Sequence, residues 1–347
     1  MKDIDTQETT APAVSDALST GGLYERASLA TPMAIRVAAT LGIADLLAEA
    51  GESSGAELSA RTGTDADALE RLLCHLATVG VVRPGETGGH VLTSLGRALC
   101  EDHPSGLRSR LDLTSALGRA ELAFAQLLHS VRTGSAAYPK QFGRPFWDDL
   151  ATDVRRSASF DEQVGVYAAS SAADLAKAID WGALGHLVDV GGGNGVTLAA
   201  LLTAHPGLRG TLLDQKATVE SARSTLVHQD FADRVDFVAG DFFAPLPAGA
   251  GGYLLSAILH DWDDDSAVRI LGRCAEAAGE SGTVFVAEWI GADVAALRTE
   301  LDLRMLVYYG ARERGVPALT ALASKAGLDV VGVHPAGALT VLELKAA

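Results

Sequence analysis

Cysteine is scarce in this chain: there are three in 347 residues, at Cys74, Cys100 and Cys274. They are odd in number, far apart and without CxxC or Cys/His metal spacing, which indicates neither a disulfide framework nor a zinc site and fits a reducing compartment. Positive charge is scarce as well. Against 44 Asp and Glu stand 28 Lys and Arg, a formal net charge of -16, so duplex nucleic acid would meet a repulsive field. No uninterrupted apolar run reaches the ~18 residues that a membrane span needs, and the N-terminus lacks the basic-then-apolar order of a secretory signal. No carboxylate cluster with metal-ligand spacing stands apart. The absences argue against nucleic acid, membrane and metal as partners and point to the cytoplasm.

What is present is apolar content, 48% of the chain, enough for two domains. Residues 1–22 are small and polar, the composition of a disordered lead-in. Over 23–105 the segments LYERASLATPMAIRVAATLGIADLL and TDADALERLLCHLATVGVV carry apolar residues at helical spacing, the second with Thr64 as a helix start. VVRPGETGGHVLTSL then reads as a short hairpin, which completes a winged-helix-like pattern. Residues 106–180 are again helical, interrupted by the loop AAYPKQFGRPFWDDL, where Tyr138, Phe142, Phe146 and Trp147 concentrate. From 181 to 347 strand-length apolar runs (HLVDV, GTLLD, RVDFVA, GYLLSAIL, TVFVAEW) alternate with helical stretches. This is an α/β pattern with a parallel sheet covered on both faces. LDVVGVHP and ALTVLELKA, too close for a crossover, should pair antiparallel at its end.

The sharpest local signal is LVDVGGGNGVTLAALL, a strand and a helix joined by Gly191, Gly192, Gly193 and Gly195. Glycines let the backbone approach a ligand, and the helix start near Asn194 offers free N–H groups. The next strand ends in Asp214, suited to ribose hydroxyls, and a third in GDFF, with Asp241 and Phe242. A glycine loop with a downstream acid suits NAD and S-adenosylmethionine alike. The G-x-G-x-G spacing favours the second, and so does the Asp–Phe pair, a carboxylate for an adenine amino group and a ring for its face.

DVGGGNG, GDFFAPLP, SAILHDWDDDSAVRIL, VAEWI and DLRMLVYYGARER, in this order and spacing, resemble the S-adenosylmethionine-dependent O-methyltransferases of plant phenolic and bacterial polyketide metabolism. With the helical front half and FGRPFWDDL the resemblance covers about residues 23–344. It implies a Rossmann-like class I methyltransferase sheet, mostly parallel with an antiparallel end strand, behind a winged-helix-like dimerisation domain that helps close the partner's active site in a homodimer. It also implies that Asp189, Gly191, Gly193 and Gly195 meet the methionine portion of the cofactor, that Asp214, Asp241 and Phe242 hold the nucleoside, and that Ser256 and Trp262 line the same pocket.

Methyl transfer from a sulfonium needs an oxygen nucleophile held in line and one proton removed. A lone histidine after an apolar strand reads, by itself, as structural. The resemblance makes His260 the general base, with Glu288 and Glu313 orienting its imidazole, while Asp261 and the acids after it read as helix-start residues favouring the dipole. With phenol near pKa ~10 and histidine near ~6.5, full prior transfer is uphill by roughly 5 kcal/mol, so the proton should leave during attack. Trp147, Phe160, Tyr167 and Tyr308 are the candidates for a pocket holding a small aromatic substrate. The chain departs from the family in the short stretch from 290 to 301, in GARERG, and in having only Met1, Met33 and Met305 where plant members clamp substrate with methionines. A methyltransferase-like hydroxylase or decarboxylase of an aromatic polyketide pathway is the rival reading; the retained His260 favours methylation.

Overall fold

The computed structural model describes residues 22–228, 231–290 and 298–347. The expected lead-in therefore lies outside the described residues, Gly22 excepted. The chain divides into two compact units at Leu111/Asp112. The expected limits were 105/106 and 180/181, and the segment between them splits, residues 112–180 clustering with the sheet.

The first unit holds α1 (Leu23–Ala27), α2 (Ala30–Leu41), α3 (Ile43–Ala50), α4 (Gly55–Thr62), α5 (Ala66–Thr78), the hairpin β1 (Val82–Pro84) and β2 (His90–Leu92), and α6 (Leu107–Leu111). Ser54 and Glu57 form a capping box on α4. Asp65, one residue beyond the expected Thr64, caps α5 by accepting from Ala68 N. The hairpin pairs Val82 with Leu92 as expected, and the Glu52 carboxylate fixes its turn by accepting from the Thr87 and Gly89 N–H groups at 2.9 Å. Leu47, Leu58, Leu73, Leu76 and Val82 form the core of this unit.

The second unit begins with α7 (Ala116–Glu121), α8 (Leu127–Thr133), α9 (Tyr138–Phe142), α10 (Phe146–Ala151) and the long α11 (Val154–Ala178). The aromatic segment expected as a loop is thus two short helices. Its prolines and glycine punctuate them: Pro139 stands in the first turn of α9, Gly143 ends it at φ 80°, and Pro145 leads into α10. There follow β3 (His186–Val190), α12 (Val196–Ala204), β4 (Arg209–Asp214), α13 (Lys216–His228), β5 (Val235–Ala239), β6 (Gly252–Ser256), α14 (Asp264–Ala278), β7 (Thr283–Glu288), α15 (Thr299–Tyr309), α16 (Val316–Lys325), β8 (Leu328–Ala336) and β9 (Leu339–Ala346).

The sheet order is β5-β4-β3-β6-β7-β9-β8. All neighbours from β5 to β7 are parallel, and the closing β8–β9 hairpin is antiparallel as expected, with β9 against β7. One face packs Val190, Tyr253, Leu255 and Val286 under α14 and α16; the other packs Leu187, Leu212, Leu254 and Phe285 with α11 and α12. Two large polar-tipped rings complete these cores with their polar atoms satisfied. Trp181 Nε1 donates to the Leu175 carbonyl at 2.8 Å, and Tyr253 Oη donates to the Pro247 carbonyl at 2.7 Å. The strand order reverses between β3 and β6, which leaves a crevice at their carboxyl ends.

Asp149, buried on α10, ties the helical layer together. It accepts from Tyr138 Oη at 2.6 Å, and from Arg119 Nε and Arg156 Nη1 at 3.1 Å. Burial opposes its charge, but these donors outweigh it and hold its carboxyl below the usual range. A lowered folded pKa contributes stability that is fully present above the unfolded value of about 4 and lost as pH falls through the folded value. Asp149→Ala takes the carboxylate from Arg119 and leaves Arg156 with Asp153 alone, so we expect a loss of about 3 kcal/mol in urea unfolding at neutral pH. Tyr138→Phe should cost about 1 kcal/mol. A loss under 1 kcal/mol in the alanine variant contradicts this assignment.

Candidate active site

The glycine loop leaves β3 in left-handed turns that side chains rarely adopt, with φ 74° at Gly191, 57° at Gly193 and 82° at Gly195. A Cβ at Gly191 would lie 2.6 Å from Ile258 Cδ1 and 3.5 Å from the Phe242 ring, so the backbone is exposed only because no side chain is there. Asp214 Oδ2 accepts from Gly193 N at 2.9 Å. Asp189 is 1% exposed, and its Oδ2 has no hydrogen-bond partner among the described residues. Burial and the neighbouring Asp214 push its carboxyl up to about 7.

Sequence reasoning missed a third wall. Gly165 lets α11 approach until a Cβ there would stand 2.1 Å from Asn194 Nδ2. That amide donates to the Asp161 carbonyl at 3.3 Å. Asp161, pushed up to about 6 by burial and by Asp214, thereby joins the cluster of acids around the loop. A glycine inside a helix was the available signal, and by spacing alone it reads as a weak point.

On the other strands, Asp241 Oδ1 accepts from Phe243 N at 2.9 Å and shapes the GDFF turn. Phe242 meets Trp262 edge-to-face, with ring centres 5.7 Å apart. Ser256 ends β6, and Ala257 follows at φ 57°, a strained value for a non-glycine residue that turns the chain sharply into the short 3-10 turn Leu259–Asp261.

His260 stands in that turn, 9% exposed. Its Nδ1 lies 2.7 Å from Glu288 Oε2, while Glu288 Oε1 accepts from Leu259 N at 2.9 Å. One carboxylate thus grips both the ring and the backbone beside it. Asp261 Oδ1 lies 3.3 Å from His260 Nε2. Asp261 is therefore not a helix-start residue: the turn intervenes and directs its carboxylate inward. Asp263 caps α14, accepting from Ser266 N at 2.7 Å. Burial disfavours the imidazolium, but the carboxylates of Glu288 and Asp261 outweigh it and raise His260 to about 10. Asp261 rises to about 7 through burial, although His260 pulls the other way. Glu313, 6% exposed, is raised by burial against the pull of His260, and its Oε1 has no hydrogen-bond partner among the described residues.

Of the aromatic candidates, Trp147 stacks with Trp262 (6.1 Å, 10°) and with Tyr309 (5.3 Å, 9°), and Phe160 is edge-on to it at 5.4 Å. Tyr167 stands 6.4 Å from Trp289, which itself lies 5.8 Å from His260. Tyr308 sits in the packed core with its hydroxyl donated to Glu121, and the next residue, Tyr309, is the one against Trp147. The Tyr308–Tyr309 pair gave no hint of which ring faces inward. Residues 291–297, within the stretch noted as short, lie outside the described residues.

This arrangement brings together a glycine cradle, a cluster of buried acids, and a buried histidine beside stacked rings. The O-methyltransferase domain family matches residues 124–329, and the O-methyltransferase dimerisation domain matches residues 27–102. The 2,7-dihydroxy-5-methyl-1-naphthoate 7-O-methyltransferase of Streptomyces carzinostaticus is 49% identical over 325 residues, covering 94% of this chain and 97% of that protein. Aclacinomycin 10-hydroxylase RdmB of Streptomyces purpurascens is 43% identical over 321 residues, 90% of this chain and 85% of that protein. The crystal structure of NcsB1, an O-methyltransferase of neocarzinostatin biosynthesis in complex with S-adenosylmethionine and 2-hydroxy-5-methyl naphthoic acid, aligns with TM-score 0.89 and 48% identity over 95% of this chain and all of that one. With both domains matched and relatives this similar along almost its whole length, the chain belongs to the O-methyltransferase family and is an S-adenosylmethionine-dependent enzyme.

Proposed function

We propose that this enzyme methylates a hydroxyl of a small, flat aromatic natural product of phenolic or polyketide type, with His260 as the general base. The observation that carries the proposal is the buried 2.7 Å pair of His260 and Glu288 at the carboxyl edge of β6 and β7, beside the glycine loop and the stacked rings. The residues present fit the cofactor: the glycine cradle would be filled by a Cβ, and the carboxyls of Asp161, Asp189 and Asp214, raised by burial and, for the first two, by the charge of Asp214, favour a ligand that brings positive charge. When bound, S-adenosylmethionine supplies the electrophilic methyl group. Asp189, Gly191, Gly193 and Gly195 hold its methionine end, Asp214 the ribose, Asp241 and Phe242 the adenine, and Ser256 and Trp262 close the pocket.

Glu288 accepts the Nδ1–H and so presents Nε2 to the acceptor hydroxyl, with Glu313 adding negative charge that favours the imidazolium. A base raised to about 10 lies close to a phenol of about 10, so proton transfer is near balance rather than roughly 5 kcal/mol uphill. Trp147, parallel within 10° to Trp262 and within 9° to Tyr309, with Phe160 and Tyr167 nearby, suits a fused-ring acceptor such as the naphthoate of the Streptomyces carzinostaticus relative. The first unit, with Leu23, Tyr24 and Leu29 more than 60% exposed, pairs with a second copy in a homodimer, and the reaction runs in the cytoplasm.

In assays with hydroxynaphthoates, catechols and hydroxyquinones, His260→Ala should lower kcat by about 10²–10⁴ while S-adenosylhomocysteine still binds. Transfer that survives in the variant rules out His260 as the base, and a product that gains oxygen instead of a methyl group points to the hydroxylase chemistry named for RdmB.

The pH profile follows from the same charges. A raised imidazole keeps its proton at neutral pH, so kcat/KM should climb by about tenfold per unit from pH 6 and level off only in the alkaline range. Glu288→Gln removes the largest contribution favouring the imidazolium, which should move the plateau to lower pH and lower its height. An unmoved inflection contradicts the pairing.

A further inference from the structure

The catalytic turn is gripped from its far side by a residue with no assigned role. Arg314, 5% exposed, follows α15 in the segment that leads to α16. Its Nη1 donates to the Leu259 carbonyl at 2.6 Å and its Nη2 to the Trp262 carbonyl at 2.8 Å. Nη2 and Nε both donate to Asp264 Oδ1, at 2.7 and 3.1 Å. The two carbonyls bracket His260 and Asp261. Leu259 is fully buried, so without the guanidinium its carbonyl loses this hydrogen bond, which is costly inside a protein.

The Leu259 residue is held at both ends: Glu288 accepts from its N–H, and Arg314 donates to its carbonyl. Ala257 at φ 57° enters the turn under strain, so the ring's direction depends on these grips. Arg314 is itself fixed in place, because the neighbouring Glu313 N donates to Asp302 Oδ1 at 2.8 Å on α15. Only a planar fork with several N–H groups reaches three separate acceptors in this way; an ammonium serves fewer of them.

We propose that Arg314 is a positioning residue for methyl transfer: it clamps the 259–262 turn against Glu288 and thereby fixes the direction and basicity of His260. The proposal rests on the reading of His260 as the base.

The test uses the full chain as wild type, Arg314→Lys, Arg314→Met and His260→Ala, with methyl transfer to a hydroxynaphthoate, pH profiles, thermal midpoints and S-adenosylhomocysteine binding. Lysine keeps the charge, so any change in its profile reports geometry. Misplacing a reacting group by about 1 Å costs on the order of 10²-fold. We therefore expect kcat to fall by about tenfold in Arg314→Lys and about 10²-fold in Arg314→Met. KM and S-adenosylhomocysteine affinity should stay within a few-fold, and the alkaline inflection of Arg314→Lys should move to lower pH. A folded Arg314→Lys with wild-type kcat and inflection overturns the proposal. So does a loss fully explained by the unfolded fraction with the inflection unmoved. If instead His260→Ala transfers as well as wild type, the assignment of the base has failed and not the clamp.

Discussion

The reversal of strand order between β3 and β6 is the constraint on which the site depends. Every parallel strand needs a crossover, and where successive crossovers run in opposite directions two strand ends stand side by side with nothing above them. Val190 and Ser256 end those strands, Asp214 and Glu288 end their outer neighbours, and the glycine loop, Asp214, the His260 turn and Glu288 stand at these four positions. The topology opens the crevice, and the helices both bury the two faces of the sheet and supply its remaining walls, α11 at Gly165 and α10 at Trp147.

That crevice concentrates negative charge. Asp161, Asp189 and Asp214 stand around the glycine loop, and Asp261, Glu288 and Glu313 around His260. Burying an anion is costly unless it is paired, and the raised carboxyls of Asp189, Asp261 and Glu313 show that not all of this cost is met within the protein. The two clusters differ in how they are balanced. His260 neutralises part of the second, whereas the first is relieved by neutral donors, the Gly193 N–H on Asp214 and the Thr218 hydroxyl on Asp161. Acids without a cationic partner beside the glycine loop suit the cationic S-adenosylmethionine that this family uses.

Much of this was legible in the sequence because it rests on backbone rules. Strand-length apolar runs between helical stretches identified the parallel sheet, the short spacing before ALTVLELKA identified the antiparallel hairpin, and the glycine spacing marked the loop. What was not legible rests on where side chains turn. Asp261 and Asp263 lie in one acidic run, and only the 3-10 turn decides that the first faces the imidazole and the second caps a helix. Gly165 looks like a defect in α11 until the helix docks on Asn194. The Trp147 stack was half visible, because the aromatics were conspicuous while the choice between Tyr308 and Tyr309 depends on helix rotation. Arg314 is one arginine among many until its three acceptors are brought around it.

The proposed role of His260 requires that Glu288 and Asp261 together make it a strong base with Nδ1 protonated. Nitrogen-resolved NMR of histidine-labelled protein, followed from pH 5 to 11 in the wild type and in His260→Gln to assign the signal, tests it most directly. The account predicts a ring that keeps its charge well above the ordinary histidine value of about 6.5 and, on deprotonation, loses the Nε2 proton while Nδ1 keeps its own. A ring that titrates at or below that ordinary value, or that retains its proton on Nε2, contradicts it.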